Sequence, residues 1–430
     1  MKEALVKNSL KVKTQDFSIA IAIIFSWWGF LSFTISTRLG GVAYIGISFC
    51  ILLMIIYPGI LRFSKEEVYL KRGIISFLIF VLVSFCGYEF LHEKSDVNHF
   101  FVFDFSSEGF NLLKNFPLWI CGFLMLLKRE KNKLGEKIFL LTLGYDVIVT
   151  TVALFSVPSY AKNATAGIVT SAMMPYTQIG AMGYELAYSI AILIPALFFL
   201  AMCEKKWWLF VFSVGCCFYV FKASFFIALL AMILNILLAI IFSIPTEKIT
   251  MKIFFLVSTF CVILAIFFVW PHLGKIFLEL STKVESIQLS ERFYQLGRML
   301  LVGDRSGGTL ARFDLYGQSI KGIKENAILG MAVFDRTYAV SGHSTILDNW
   351  CLFGILGIVP IVYTIMYMAK YTIGVSTCHA QKGITLAAYI SFVFISSVDP
   401  VTAGPQILLA IFWALPMLIK VSNSSDLKKE

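Results

Sequence analysis

The stretch Val340 to Gly357 reads VSGHSTILDNWCLFGILG. A histidine, hydroxyls, a carboxylate and an indole arrive together where a long polar segment turns back into an apolar run. An ionisable residue in or beside a membrane span is costly to place there and marks a functional site by default. An imidazole titrates near neutrality and can take a proton from a hydroxyl, which makes His343 the leading candidate for a general base. Asp348, at the start of the apolar run, is placed to orient it, with Ser344 beside it, and Gly342 lets backbone approach closely. Taken alone, a histidine at such a boundary is more often a hydrogen-bonded structural residue. Trp350 reads as an ordinary interfacial aromatic.

The composition around this stretch sets the class. Of 430 residues, 58% are hydrophobic and 14% charged, with 41 Phe, and the mean hydropathy is +0.82. A soluble domain does not have this balance, so the chain reads as an all-α, polytopic transmembrane helical bundle. The net charge of +10 sits on Lys and Arg between apolar runs, a pattern that orients helices and is not a nucleic-acid footprint. Nine cysteines, at 50, 86, 121, 203, 216, 217, 261, 351 and 378, show no metal-ligand spacing and avoid the expected outer loops. Neither a disulfide framework nor a structural metal is expected, and no cofactor. Met1 to Lys13 is a basic leader, but the apolar run after it continues to Ser36, a first span and not a cleavable signal.

About twelve runs are long enough for a hydrocarbon core roughly 30 Å thick. They lie near 17–36, 40–61, 73–91, 112–127, 138–157, 184–202, 207–221, 223–243, 253–271, 346–368, 384–398 and 404–420. Basic residues fall in alternate loops: the leader, then Arg62, Lys65, Lys71 and Arg72, then Lys128 to Lys137, then Lys205 and Lys206, then Lys248 and Lys252. By the positive-inside rule those loops and both termini are cytoplasmic. The chain then divides into spans 1 to 9 over 1–271, a long extracytoplasmic loop over 272–345, spans 10 to 12 over 346–420 and a tail over 421–430. A missed span would put the long loop inside instead. Phe277, Leu280, Val284 and Ile287, then Phe293, Leu296 and Leu300, follow helical spacing and predict one or two amphipathic helices near the membrane surface. Another helix is predicted from Thr309 to Gly330.

Other constellations accompany His343. Arg312 lies in the first turn of that last predicted helix, where a guanidinium and free amides can hold a phosphate or pyrophosphate. Arg292, Arg298 and Arg305 compete with it, and each alone reads as a solvated or headgroup contact. Lys222, between apolar runs, is either an interfacial snorkelling lysine or a group that neutralises an anionic lipid carrier. Asp146, Glu185 and Asp399 are acids in or near spans that could bind sugar hydroxyls. Tyr160, Tyr176 and Tyr184 flank an outer loop and could stack on pyranose faces or anchor the interface.

The ordered pair ARFDLYGQSIKGIKENAILG (Ala311 to Gly330) and GHSTILDNWCLFGILG (Gly342 to Gly357) resembles the signature of the O-antigen polymerase and O-antigen ligase superfamily. There an arginine opens an outer-loop helix, an Asn-Pro-Ile-Leu-Gly-like turn follows, and a histidine precedes a Gly-x-x-Gly membrane helix. The resemblance covers about fifty residues closely and the rest of the chain in topology. It implies a plasma-membrane enzyme, active on the extracytoplasmic side, that transfers glycan from an undecaprenyl-pyrophosphate-linked oligosaccharide without metal or nucleotide. His343 then matches the family's catalytic histidine and Arg312 its loop arginine, with Lys222 and Arg305 as further diphosphate contacts. The family's second arginine falls at Lys222, where lysine replaces it and removes a bidentate clamp. A polymerase, acting on the lipid-linked repeat unit with a chain-length regulator as a further possible partner, is favoured over a ligase that acts on lipid A core. The alternative of another class is a transporter of lipid-linked oligosaccharide, for which this span number is ordinary.

Overall fold

A computed structural model describes residues 17–27, 40–56, 67–88, 108–126, 133–165, 168–245, 250, 253, 270–284, 287–302, 308–335, 337–402 and 404–426. Helix is the only regular secondary structure among the described residues. Among the described residues six helices are long and apolar enough to cross a membrane: Val68–Cys86, Leu134–Ser156, Tyr184–Glu204, Phe226–Ser243, Thr345–Gly374 and His379–Val398. Five shorter apolar helices accompany them: Phe17–Trp27, Val42–Ile56, Leu112–Leu126, Trp207–Lys222 and Gln406–Lys420. Each coincides with an expected run; most of the remaining one, 253–271, lies outside the described residues, as does Arg305.

The outside of the bundle is apolar. Leu82, Leu141, Ile148, Val211 and Leu356 are each more than half exposed on the flanks of these helices, a belt that water would penalise and lipid would not. The Tyr184–Glu204 helix is the central strut, buried on nearly all sides through Leu186, Ile190, Leu193, Ile194 and Leu197. Pro195 within it has no N–H and so releases the carbonyl of Ala191 from its helical partner. Asn235 of the Phe226–Ser243 helix supplies the missing donor: its Nδ2 donates to Ala191 O at 2.9 Å and Ile192 O at 2.8 Å. Beside it Phe77, Trp119, Phe123, Phe392 and Phe412 make the aromatic core, with Phe123 and Phe412 stacked at 5.5 Å.

The polar segment folds into helices, labelled here α1 (Trp270–Lys283), α2 (Ile287–Val302) and α3 (Gly308–Asn326). The expected one or two amphipathic helices are two. They form a hairpin closed by Gly274 and Gly297, with Phe277 and Phe293 stacked at 5.7 Å. The predicted Thr309 helix is α3.

The span after His343 departs from expectation. Helix α4 (Thr345–Gly374) has Gly354 at φ 59° and ψ −141°, a break in the middle of an apolar run. A straight 30-residue helix would measure about 45 Å, well beyond the hydrocarbon core. The break leaves Ile355 to Gly374 to cross, about 30 Å of helix, and turns Thr345 to Phe353 into a separate segment at the polar end. Into the break fits the turn after α3: Ile355 N donates to Ile328 O at 3.0 Å and Trp350 Nε1 donates to Ala327 O at 3.2 Å.

Candidate functional site

The start of α4 is built by its own side chains. Ser344 is the N-cap, its hydroxyl accepting from Leu347 N at 2.9 Å. Asp348, one turn inside, reaches back over the cap and accepts the Ser344 N–H at 3.2 Å. It also accepts the Ser341 N–H at 3.2 Å and the Ser341 hydroxyl, which spans both carboxylate oxygens at 2.8 and 3.0 Å. The shortest donor comes from α3: Ser319 Oγ donates to Asp348 Oδ1 at 2.6 Å. Ser319 Oγ in turn accepts the Ser341 N–H at 2.9 Å, and Ser341 Oγ accepts the His343 N–H at 3.1 Å. All four residues, Ser319, Ser341, Ser344 and Asp348, are buried.

These bonds give Asp348 a defined job. They all go to serines beside His343 or to the serine that braces them, so the carboxylate fixes the backbone of the loop that carries His343. The loop turns through Gly342 at φ 63°, and His343 stands half-buried at the surface of this braced loop. Four groups donate to the Asp348 carboxylate. An amide at this position presents its own N–H to donors, so Asp348→Asn is expected to cost about 2 to 4 kcal/mol of stability. The readout is thermal unfolding of the purified protein in detergent, and an unchanged midpoint would show that the network contributes little.

The same end of the bundle collects several helix termini. Tyr316 Oη on α3 donates to Val398 O at 2.7 Å, Ser344 Oγ donates to Ser396 O at 3.4 Å, and Val401 N donates to Thr345 Oγ1 at 2.8 Å. Ser84, at the end of Val68–Cys86, donates to Asn349 Oδ1 at 2.7 Å. The Tyr188 hydroxyl donates to Asp399 just beyond, and Tyr184 stacks on Phe225 at 3.7 Å. Tyr338, in the loop leading to Ser341, donates to Gln318 O at 3.2 Å. Partial burial, and then neighbouring Cys351, Glu325 and Asp335, raise its hydroxyl above the ordinary range and keep it a donor.

The predicted residues are placed unequally. His343, Ser344 and Asp348 form one unit, and Arg312 lies on α3 two turns before Ser319. Lys222 ends the Trp207–Lys222 helix, where a cation suits the helix dipole, with Nζ 4.4 Å from the Phe155 ring centre. No hydrogen bond or ion pair joins it to the 341–348 loop among the described residues. Tyr160, a candidate for sugar stacking, is fully buried and bonded through its hydroxyl to Thr177 and Ala181 O at 3.0 Å each; that role is excluded by lack of exposure. Among the described residues no group of three or more His, Cys, Asp or Glu is set to hold a metal.

Sequence reasoning missed Ser319 and Ser341, whose burial no local pattern announces. It also missed the break at Gly354, although the glycines of AILG and LFGILG are its signal. Beside the break an apolar cavity of about 550 Å³ is lined by Val83, Cys86, Leu329, Val333, Leu352 and Phe353. No protein-family model matches this chain, and a search of curated proteins finds no relative.

Proposed function

We propose that the chain is a membrane glycosyltransferase that moves a growing glycan from undecaprenyl pyrophosphate onto the next lipid-linked repeat unit. In this reading about twelve spans carry the polar segment 272–345 on the extracytoplasmic face, with both termini cytoplasmic. His343 takes the proton of the acceptor sugar hydroxyl as its oxygen attacks the anomeric carbon. The bond to the diphosphate oxygen breaks on the opposite face, so one displacement inverts the centre. The diphosphate is already a good leaving group, and Arg312, Arg305 and Lys222 neutralise it. The apolar cavity beside the break suits the first isoprene units of the donor.

The observation that carries the reading is the buried Ser341–Asp348–Ser319 network, which ties the His343 loop to the helix bearing Arg312. A base and a phosphate-binding helix held at fixed separation are what one-step glycosyl transfer from a diphosphate requires. Transporters place their binding groups near the bilayer midplane, whereas the His343 loop and its serine network lie at the end of the apolar helices. The deciding assay is reconstitution with a single defined lipid-linked repeat unit. Lengthening lipid-linked chains support the polymerase, dependence on lipid A core makes it a ligase, and movement of an intact unit with no new glycosidic bond makes it a transporter.

Sidedness has its own test. A single cysteine placed by Lys275→Cys on the exposed face of α1, with the native thiols replaced, is expected to react with an impermeant maleimide in intact cells. Cys378, exposed at the opposite end of the bundle, kept as the one thiol, is expected to react only after lysis. The reverse pattern places the polar segment in the cytosol and removes the proposal.

A further inference from the structure

We propose that Ser319 is a positioning residue that couples diphosphate engagement on α3 to the placement of the base loop; this rests on the function proposed above. Among the described residues, side-chain hydrogen bonds hold helix α3 at Tyr316, at Gln318 O through Tyr338, at Ser319 and at the turn that follows it. Tyr316 anchors it to Val398 O at 2.7 Å, and the 327–328 turn anchors it to α4 at Trp350 and Ile355. Between these, Ser319 bonds directly to Asp348 and Ser341, and its hydroxyl is used twice, donating to Asp348 at 2.6 Å and accepting from Ser341 N at 2.9 Å. The first anchor and the last set where α3 lies, and Ser319 converts that position into the position of Ser341.

The consequence follows from the spacing. Ser319 is two turns along α3 from Arg312, so a diphosphate drawn to the first turns of this helix acts on the same rigid rod that holds the loop. Ser319 is fully buried, which leaves no water to stand in for a lost hydroxyl. Without it, Ser341 N keeps only the 3.2 Å contact to Asp348, and Asp348 loses its shortest donor. His343, whose N–H rests on Ser341 Oγ at 3.1 Å, then shifts with its loop. A misplacement of this kind, about 1 Å, lowers turnover roughly 10²-fold without touching substrate binding.

The test compares wild type with Ser319→Ala and Ser319→Thr in the full-length protein. Ser319→Ala is expected to lower kcat by about 10- to 100-fold with donor KM within about threefold, and Ser319→Thr, which keeps the hydroxyl, to recover most of the loss. The second readout is independent of turnover: backbone amide exchange at 341–345, with and without farnesyl diphosphate as probe. Farnesyl diphosphate is expected to slow exchange there in wild type and not in Ser319→Ala. The coupling is refuted if Ser319→Ala keeps both kcat and the diphosphate-dependent protection, or if its loss appears in KM alone. A wild type without glycosyl transfer but with that protection would sink the proposed reaction and leave the Ser319 coupling standing.

Discussion

Turnover of a lipid-linked acceptor by His343→Ala is expected to fall by about 10² to 10⁴-fold, the range removed with a general base. Donor KM is expected to change little, because in the proposed reaction the imidazole acts on the acceptor hydroxyl and the diphosphate is held elsewhere. The structure makes this a sharp test, since His343 contributes its backbone N–H to the loop through Ser341 Oγ at 3.1 Å. That bond survives replacement of the side chain, as do the bonds that Asp348, Ser319 and Ser341 make around the loop. A loss of rate with unchanged thermal unfolding therefore reports chemistry and not collapse of the loop. His343→Gln, which keeps polarity without an imidazole, is expected to be equally slow. Turnover within about tenfold of wild type would take the base assignment away from His343.

The sequence carried the helical architecture further than the site. Apolar runs predicted the helices because a span must be about twenty apolar residues whatever it packs against, and the spacing of Phe277, Leu280, Phe293 and Leu296 announced amphipathic helices, though not the hairpin they form. The division of the chain at Lys222 was legible too: one apolar helix ends there and the next begins at Phe226. The break in α4 was not, because hydropathy averages over a window and does not register one residue with left-handed φ inside an apolar run. Within the site, His343 and Asp348 stood out as charges at a boundary, but the partner of Asp348 could not. Ser319 comes from a helix twenty-odd residues upstream and looks like any polar surface residue until tertiary packing buries it. Lys222 shows the reverse case: its conspicuous charge is satisfied locally, at a helix end and over the Phe155 ring at 4.4 Å.

The break itself supplies the largest expected loss of stability. At φ 59° and ψ −141°, Gly354 occupies backbone space that is nearly closed to residues with a Cβ. A methyl group added there lies 2.1 Å from Ile328 O and 2.7 Å from Gly330 N. Both neighbours are backbone, so no side chain can swing aside. Gly330 is subject to the mirror constraint, with φ 80° and an added Cβ 2.2 Å from Leu352 O. The two glycines are thus the close approach that lets the turn after α3 enter α4 and accept the Ile355 N–H. Gly354→Ala is expected to cost at least about 3 kcal/mol, by combining backbone strain with displacement of the turn, and to reduce recovery of folded protein. Gly317→Ala is the control: it lies within α3 with nothing within 4 Å of an added Cβ, so it is expected to be neutral or stabilising by up to about 1 kcal/mol. Melting of both variants in detergent checks the pair, and a Gly354→Ala protein that melts with wild type would mean the break can straighten. Because the turn at 327–330 ends the helix that carries Arg312 and Ser319, a straightened α4 would release that helix from the His343 loop. Stability and the spacing of the site therefore rest on the same two glycines.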